Sequence, residues 1–316
     1  MKFKFAISGY NENINALKLL EYSEKGIRQL DYLKLNDPSF ITSYGDIIFT
    51  YTKNPLKMLA ICTKGEYTDK LNIIAEYPLE LKSMTHLTFS KKNNCLYGAS
   101  YMDGAIIKLD YKDNIFSNLK LISHKDLYGV YSKCHAIITN EDETKVCCVN
   151  IGTDTLYFYD KDLNCVKSIK LKNGCGPRHA IWVGNLIYCV TEYSNEVVVV
   201  DYDKGAIQYL STLKQETIES KQESYGDTLF KRGSKIYVSN RGEDTIAVFR
   251  IGKEGILAYL ESFSVWGKHS RHMIEYKDVI ITCNKNSHSI SFINIKTHEL
   301  IRNIGIPNPS GVCIVK

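Results

Sequence analysis

The chain has 316 residues with 24% charged and 44% hydrophobic residues and a formal net charge of +5. Lysine and arginine are scattered along it and form no blocks, which argues against nucleic acid as a partner. No apolar stretch is long enough to span a membrane, and residues 1–7 lack the apolar region of a signal peptide, so we expect no membrane partner and a cytoplasmic location.

The most regular feature of the sequence is a repeated hairpin pattern. An apolar run of strand-forming residues is followed by a polar turn and then by an alternating strand. Six clear copies begin at Ile47, Leu96, Val146, Ile187, Ile236 and Ile280. A more divergent seventh copy begins at Lys4, so the starts lie roughly 41 to 50 residues apart, which is typical of β-propeller blades.

Short strands and the chain ends complete the predicted blades. A further strand precedes several hairpins and starts at His86, His135, His179 or His272. Pro309–Val315 has the pattern of an innermost strand without a hairpin, whereas the N-terminal copy is a hairpin without a preceding strand. We therefore predict an all-β, seven-bladed β-propeller whose N- and C-terminal strands share one blade, with residues 1–316 forming a single domain.

Two further features of the sequence, a polar interval and the cysteines, predict structural roles and not a catalytic or metal site. The polar interval 214–224 is predicted to be a surface loop between blades. The ten cysteines form no CxxC pair and several fall in predicted strands, so we expect reduced thiols that pack as small apolar side chains. Cys147 and Cys148 are vicinal and are therefore expected on opposite faces of one strand.

Charged residues recur at the predicted inner strand ends. Arg178, Arg241 and Arg271 occupy such points, and Glu192 follows another predicted strand. Because the inner strand ends of a propeller converge on the mouth of a central channel, we expect these side chains around one cavity. Three arginines around a funnel would attract a small anion. The sequence therefore predicts an anion-binding pocket with a catalytic role.

Motifs between Cys134 and Cys313 carry a resemblance to a known family. They are Cys134-His135-Ala136, Gly152-Thr153-Asp154, Gly176-Pro177-Arg178-His179, Glu192, Tyr237-Val238-Ser239-Asn240-Arg241-Gly242, Arg271-His272 and Pro309-Ser310-Gly311-Val312-Cys313. In combination they resemble the lactonase family of seven-bladed propellers, whose best-known activity is bacterial 6-phosphogluconolactonase and which is similar to fungal carboxy-muconate lactonizing enzymes. The chain before about Tyr128 matches only as a generic propeller.

The resemblance implies a set of site residues. The catalytic quartet proposed for the family falls here on His135, Arg178, Glu192 and Arg241. Three nearby residues are assigned to substrate binding, namely His179, Arg271 and His272. The implied partner is a small anionic sugar lactone, with 6-phosphogluconolactone of the pentose phosphate pathway as the leading substrate.

Three motifs depart from the family pattern. Its His-Pro-His reads Lys133-Cys134-His135, its Asp-Leu-Gly reads Asn150-Ile151-Gly152, and its last Pro-Arg-His reads Ser270-Arg271-His272. These changes leave the acid/base groups in place, and two interpretations stay open: an altered choice of lactone or a loss of activity.

Lactone hydrolysis explains why these residue types are needed together. It requires a water directed at the ring carbonyl, stabilisation of the oxyanion and a proton for the leaving ring oxygen. We hypothesise that Glu192 or His135 activates the water while the other transfers the proton, and that Arg178 and Arg241 hold the substrate anion or the oxyanion. We expect no metal and no cofactor, because zinc-type His and Cys spacings and a glycine-rich nucleotide loop are missing from the sequence.

Other interpretations remain open from the sequence. The arginines and Glu192 are alternatively ion pairs between blades, and His179 and His272 alternatively have structural hydrogen-bonding roles. Val190–Asp201 also resembles the repeat of YVTN-type propellers that act without known catalysis, which favours a ligand- or protein-binding scaffold. A cycloisomerase that forms lactones from muconates is a third possibility, since the same quartet is proposed there. The sequence does not indicate an oligomeric state.

Overall fold

A computed structural model describes residues 1–10, 16–65 and 69–316 of the chain. In these residues the strands form seven four-stranded antiparallel sheets, which are the blades of a β-propeller. The innermost strand of each blade packs beside the innermost strands of the two neighbouring blades, and this sequence of contacts closes into a ring. The predicted seven-bladed, all-β propeller is confirmed.

Blade 1 combines both ends of the chain. Its innermost strand is β28 (Pro309–Val315), which pairs antiparallel with β1 (Lys2–Gly9). Strands β2 (Ala16–Ser23) and β3 (Gly26–Lys34) follow outward. The predicted sharing of one blade is confirmed, and it closes the ring by pairing the inner edge of the N-terminal strand with the C-terminal strand.

The other six blades follow in chain order, and each is given from its innermost to its outermost strand. Blade 2 contains β4 (Thr42–Tyr44), β5 (Ile47–Thr52), β6 (Lys57–Lys64) and β7 (Asp69–Pro78). Blade 3 contains β8 (His86–Ser90), β9 (Cys95–Ser100), β10 (Ala105–Lys112) and β11 (Ile115–Ser123). Blade 4 contains β12 (Cys134–Thr139), β13 (Lys145–Asn150), β14 (Thr155–Asp160) and β15 (Cys165–Lys170). Blade 5 contains β16 (Pro177–Val183), β17 (Leu186–Thr191), β18 (Glu196–Asp201) and β19 (Gly205–Ser211). Blade 6 contains β20 (Tyr225–Arg232), β21 (Lys235–Arg241), β22 (Thr245–Ile251) and β23 (Leu257–Ser264). Blade 7 contains β24 (Ser270–Tyr276), β25 (Val279–Asn284), β26 (Ser289–Asn294) and β27 (Leu300–Gly305).

Two short helices connect blades. Helix α1 (His124–Tyr128) lies between blades 3 and 4, and α2 (Gln215–Ser220) lies between blades 5 and 6. The second helix occupies the polar interval for which the sequence predicts only a loop. Its residues include good helix formers such as glutamine and glutamate, and the interval contains neither glycine nor proline to interrupt a turn of helix.

The core lies between the blades because adjacent sheets pack face to face. The second and third strands of a blade are therefore buried on both faces, as in β17 and β18, whereas the outer strand β15 alternates between exposed and half-buried residues. Aromatic side chains span these interfaces. Phe158 of blade 4 packs edge-on against Trp182 of blade 5, with ring centroids 5.4 Å apart.

The cysteines belong to this core. All ten are free thiols and eight of them are buried. Cys147 and Cys148 pack into the interfaces on opposite sides of blade 4, as two successive residues of a strand must. Burial raises the pKa of both thiols well above the ordinary value.

Within the described residues, neither helix has the length and apolar character needed to cross a bilayer.

Candidate functional site

β-Bulges shape the centre of the ring. In five innermost strands the register shifts near the first residues, so one residue has no direct partner on the second strand. The side chains at this point are His135, Arg178, Asp227, Arg271 and Ser310. A bulge redirects a side chain out of the alternating pattern of the sheet. Here four of the five line the central cavity, and the fifth, Asp227, is buried beside them.

Local backbone features hold the bulge that carries Arg178. Gly176 has a φ of 65°, and a Cβ atom there would lie 2.4 Å from the ring of Tyr193, so only glycine fits without displacement. The carboxylate of Asp154 accepts hydrogen bonds from the backbone N–H groups of Gly174 and Gly176, both at 2.8 Å. The Gly152-Thr153-Asp154 motif of blade 4 therefore fixes the loop that presents the arginine of blade 5.

A second set of side chains comes from the loops that follow the second strand of each blade. Tyr10, Lys53, Tyr101 and Glu192 each come directly after such a strand, and all four line the same cavity. Arg241 is the last residue of the equivalent strand in blade 6. Blades 1 and 5 therefore contribute to the cavity both from the bulge and from this loop, whereas each of the other blades contributes at most one of the two.

These residues enclose a cavity of about 330 Å³ at the centre of the ring. Its lining residues are Tyr10, Ser39, Phe40, Lys53, Ser83, Met84, Thr85, Tyr101, Met102, His135, Arg178, His179, Glu192, Arg271 and Ser310. Small-molecule sites commonly have volumes from a few hundred cubic ångströms upward and combine apolar walls with a few convergent polar groups. The cavity has this character and a size suitable for a sugar derivative.

A buried network of two arginines and two carboxylates forms one side of the site. Glu192 Oε2 lies 2.8 Å from Arg178 Nε and 3.0 Å from Arg241 Nη2. Asp227, which is fully buried, contacts Arg178 Nη1 through Oδ1, and its Oδ2 lies 3.7 Å from Arg241 Nε. Arg178 Nη1 also donates to the backbone oxygen of Asp227 at 2.7 Å. Two positive and two negative groups therefore balance each other.

The network determines the charge states of its members. Burial raises the pKa of Glu192, but Arg178 and Arg241 lower it by more, so its pKa lies below the usual value and the carboxylate is ionised at neutral pH. Burial lowers the pKa of Arg178 to about 10, with a contribution from the charge of Arg241, and this arginine stays positive at neutral pH. The site thus holds the Glu192 carboxylate and the Arg178 guanidinium group in their charged forms.

Three histidines of the innermost strands have structural partners. His179 and His272 lie one residue beyond a bulge, and His86 begins β8, where the register does not shift. Nδ1 of His86 accepts from the backbone N–H of Ile137 at 3.5 Å, and Nδ1 of His272 accepts from Val312 N–H at 3.2 Å. His179 Nδ1 lies 3.2 Å from the hydroxyl oxygen of Thr228. Each contact reaches the innermost strand of the next blade, so these imidazoles connect blades.

His135 differs from these three in position and in partners. The strand register places it at the bulge, in line with Arg178 and Arg271, whereas the sequence pattern aligns it with His86, His179 and His272. Its buried Nδ1 has no hydrogen-bond partner among the described residues. Burial, together with the charges of the nearby arginines, holds its pKa well below the usual value of 6.5. His135 is therefore a neutral imidazole in the wall of the cavity.

The sequence-predicted residues fall into three groups. His135, Arg178, Glu192, His179 and Arg271 line one cavity. Arg241 reaches this group through Glu192 but does not line the cavity itself.

His272 does not line this cavity. It borders a second cavity of about 400 Å³, and Phe40, whose ring centroid lies 5.2 Å from that of His272, borders both cavities. The sequence-based assignment of His272 to substrate binding therefore has no support from its position.

Two site residues have no sequence motif that singles them out. Asp227 pairs with arginines from two blades, and Tyr10 follows the first strand of the divergent N-terminal repeat. Aligning the repeats by strand register identifies both, since Asp227 then matches Arg178 and Tyr10 matches Glu192.

One group of metal-type ligands lies outside the cavity. The ligand atoms of His124, Cys134 and Cys148 lie within 4.8 Å of one another in the core of blades 3 and 4. The two ring nitrogens of His124 already have neighbours, with Nε2 2.7 Å from the Tyr159 hydroxyl and Nδ1 3.3 Å from Asn150 Nδ2. This cluster is part of the packed core and does not face the cavity.

The fold and the site define a seven-bladed propeller with a charged, arginine-containing pocket at its centre. The family model described as "Lactonase, 7-bladed beta-propeller" matches residues 4–315. The chain belongs to this lactonase family.

Curated relatives include a 6-phosphogluconolactonase of Bacillus subtilis, which is 34% identical over 140 residues that cover 41% of this chain and 40% of the relative. An uncharacterized protein of Staphylococcus saprophyticus is 28% identical over 198 residues, covering 57% of this chain and 56% of that protein. The matched segments thus span less than two thirds of the length of these relatives.

Solved structures share the fold across the whole chain. The periplasmic gluconolactonase PpgL of Pseudomonas aeruginosa superposes with a TM-score of 0.86 at 16% identity, covering 100% of this chain and 99% of that protein. At this level of identity the similarity concerns the architecture and does not extend to individual site residues.

Proposed function

We propose that this protein hydrolyses a sugar-acid lactone, 6-phosphogluconolactone, to 6-phosphogluconate by metal-independent general acid/base catalysis. The observation that carries the proposal is the convergence of His135, Arg178 and Glu192, from two blades, on one cavity of about 330 Å³. Family membership and the name of the Bacillus subtilis relative support a lactonase with this substrate.

The protonation states of His135 and Glu192 bear on which of the two accepts the proton of the attacking water. Both candidate groups rest in their deprotonated forms, because the pKa values of His135 and Glu192 lie below their ordinary values. The carboxylate of Glu192 is held between two guanidinium groups, whereas the neutral imidazole of His135 lines the cavity without a charged partner. We therefore assign proton acceptance to His135 and the positioning of Arg178 and Arg241 to Glu192.

The proposed reaction uses one base that then acts as an acid. His135 accepts a proton from water while the water oxygen forms a bond to the lactone carbonyl carbon, and the carbonyl electrons move to its oxygen. Arg178 stabilises the resulting oxyanion. When the carbonyl re-forms, the bond to the ring oxygen breaks and the imidazolium returns its proton to that oxygen. The carboxylic acid product then ionises and releases one proton to solvent.

The proposed setting is sugar-phosphate metabolism in the cytoplasm. Ten free cysteines, eight of them buried without a disulfide partner, suit a compartment that keeps thiols reduced.

Acid release from freshly prepared 6-phosphogluconolactone tests the proposal. We expect the wild-type protein to accelerate acid release above the spontaneous rate, and Arg178→Ala to lower kcat/KM on the order of 100-fold, as for the loss of an oxyanion-stabilising group. Arg232→Ala is the matched control, because Arg232 also pairs with two acidic residues, Glu275 and Asp278, but does not line the cavity. No acceleration by the wild type would contradict the proposal and favour a scaffold or a lactonizing cycloisomerase.

A further inference from the structure

Arg271 differs from the other two site arginines in its partners. Arg178 and Arg241 each contact two carboxylates, whereas no carboxylate oxygen of the described residues lies within 4.0 Å of the Arg271 guanidinium. Its Nη2 donates a hydrogen bond to the hydroxyl oxygen of Tyr10 at 3.0 Å. Arg271 lines the cavity and is only half-buried, so an anion entering the cavity can reach it.

The charges around the cavity are distributed unevenly. On the side formed by blades 5 and 6, the two arginines are balanced by Glu192 and Asp227. On the side formed by blades 7 and 1, Arg271 Cζ lies 5.6 Å and Lys285 Nζ 5.4 Å from the ring centroid of Tyr10. Neither of these cations has an ion-pair partner among the described residues, so this side carries the positive charge that remains uncompensated.

Tyr10 lies beside both cations and is anchored through its backbone. Its backbone N–H donates to Asn308 O at 3.0 Å, in the loop that precedes β28. Burial raises the pKa of Tyr10, but the charge and the hydrogen bond of Arg271 lower it by more, so the pKa lies below the usual value of 10. The serine side chains of Ser39 and Ser310 line the cavity on the same side.

We propose that Arg271 and Tyr10, with Lys285 adding positive potential, form a subsite for a phosphate monoester dianion. A guanidinium group binds phosphate oxygens through two parallel hydrogen bonds, and a phenol hydroxyl donates a third. Two uncompensated cations match a dianion in charge. The inference rests on the proposed lactonase function and adds to it the position of the substrate phosphate.

This placement orients the substrate in the cavity. The phosphate of 6-phosphogluconolactone is attached through an exocyclic CH2 group, so it can contact a different wall from the carbonyl carbon. With the phosphate at blades 7 and 1, the carbonyl faces His135 and Arg178 of blades 4 and 5, which lie across the ring. The subsite is therefore predicted to determine the preference for a phosphorylated lactone, whereas the residues on the opposite side of the cavity carry out the hydrolysis.

Two lactones that differ only in the phosphate test the subsite. We expect the wild type to hydrolyse 6-phosphogluconolactone with a higher kcat/KM than glucono-1,5-lactone. Arg271→Gln should lower kcat/KM for the phosphorylated lactone on the order of 100-fold, mainly through KM, and lower kcat/KM for the unphosphorylated lactone by a much smaller factor. Arg271→Lys should restore part of the loss, and Tyr10→Phe should cause a smaller loss, about tenfold, with the same selectivity.

Binding measurements separate failure of the subsite from failure of the proposed function. We expect inorganic phosphate and 6-phosphogluconate to raise the Tm of the wild type, and to raise it much less in Arg271→Gln, whatever the lactone activity. Wild-type protein that hydrolyses neither lactone but shows this shift would overturn the lactonase function and support the subsite. Equal losses for both lactones in Arg271→Gln, or an unchanged phosphate-induced shift, would overturn the subsite. The Tm without ligand verifies that each variant is folded.

Discussion

Arg178 and Asp227 occupy equivalent bulge positions in neighbouring blades, and their side chains form a buried ion pair beside the central cavity. The two residues lie 49 positions apart in the chain, about one blade repeat. The same feature of the fold thus supplies both the cation that faces the substrate and the anion that balances it.

Asp227→Asn should destabilise the protein. The substitution keeps the size of the side chain but leaves Arg178 and Arg241 with one carboxylate between them, and breaking a buried ion pair typically costs about 3 to 5 kcal/mol. Denaturant unfolding of both proteins measures the change. Asp278→Asn is the control, because Asp278 pairs with Arg232 and Lys296 at the surface and should cost less than about 1 kcal/mol. Equal midpoints for Asp227→Asn and wild type would contradict the stabilising role.

Glu192→Gln should lower activity through the arginines that it positions. The amide keeps the shape of the carboxylate but removes the charge that holds Arg178 and Arg241 together. We expect a fall in kcat/KM on the order of 10- to 100-fold for both lactones alike. This equal loss distinguishes Glu192→Gln from Arg271→Gln, whose effect should depend on whether the lactone carries a phosphate group. A Glu192→Gln enzyme with wild-type rates would show that the carboxylate is not needed.

The pH dependence of hydrolysis should show the low pKa of His135. A base must be deprotonated to act, and burial with nearby arginines keeps the pKa of His135 well below 6.5. Activity should therefore stay constant as pH falls from 7.5 through 6.5 and decline only at more acidic pH. Initial rates corrected for spontaneous hydrolysis measure this profile. A half-maximal rate close to pH 6.5 would mean that the base has an unshifted imidazole pKa.

Protein stability should decrease in mild acid because two half-buried histidines, His86 and His272, are neutral in the folded state. Burial lowers the pKa of His86 to about 3 and that of His272 to about 4, against about 6.5 in an unfolded chain. Below pH 6.5 the unfolded state binds more protons, so each group should cost about 1.4 kcal/mol of stability per pH unit until its folded pKa is reached. Unfolding free energies at several pH values measure the slope. His86→Gln should reduce it by one group, and an unchanged slope would contradict this assignment.

Much of the fold follows from the sequence because strand alternation and turn residues are local signals. The hairpin copies from Ile47 to Ile280 and the shared terminal blade are found where they are predicted. The site could be predicted only in part. A bulge shifts the pairing of two neighbouring strands by one residue, and this shift is not visible in the alternation of apolar and polar residues along the sequence. For that reason His135 aligns with Arg178 in space although the sequence aligns it with His179.

Ring closure explains the residues that the sequence does not reveal. Tyr10 meets Arg271 only when blade 1 is placed beside blade 7, 261 positions away in the chain. Asp227 becomes significant only when its two arginine partners are known. Interactions of this kind depend on the geometry of neighbouring blades, whereas a sequence motif records only residues that are close in the chain.

The most direct measurement is the rate of acid release from 6-phosphogluconolactone catalysed by wild-type protein and by His135→Gln. His298→Gln is the control, because His298 stacks on Phe263 in blade 6 and does not line the cavity. We expect clear acceleration by wild type and by His298→Gln, and a loss in kcat on the order of 100-fold or more in His135→Gln. Wild-type and His135→Gln rates that are equal, whether both fast or both at the spontaneous level, would contradict this expectation.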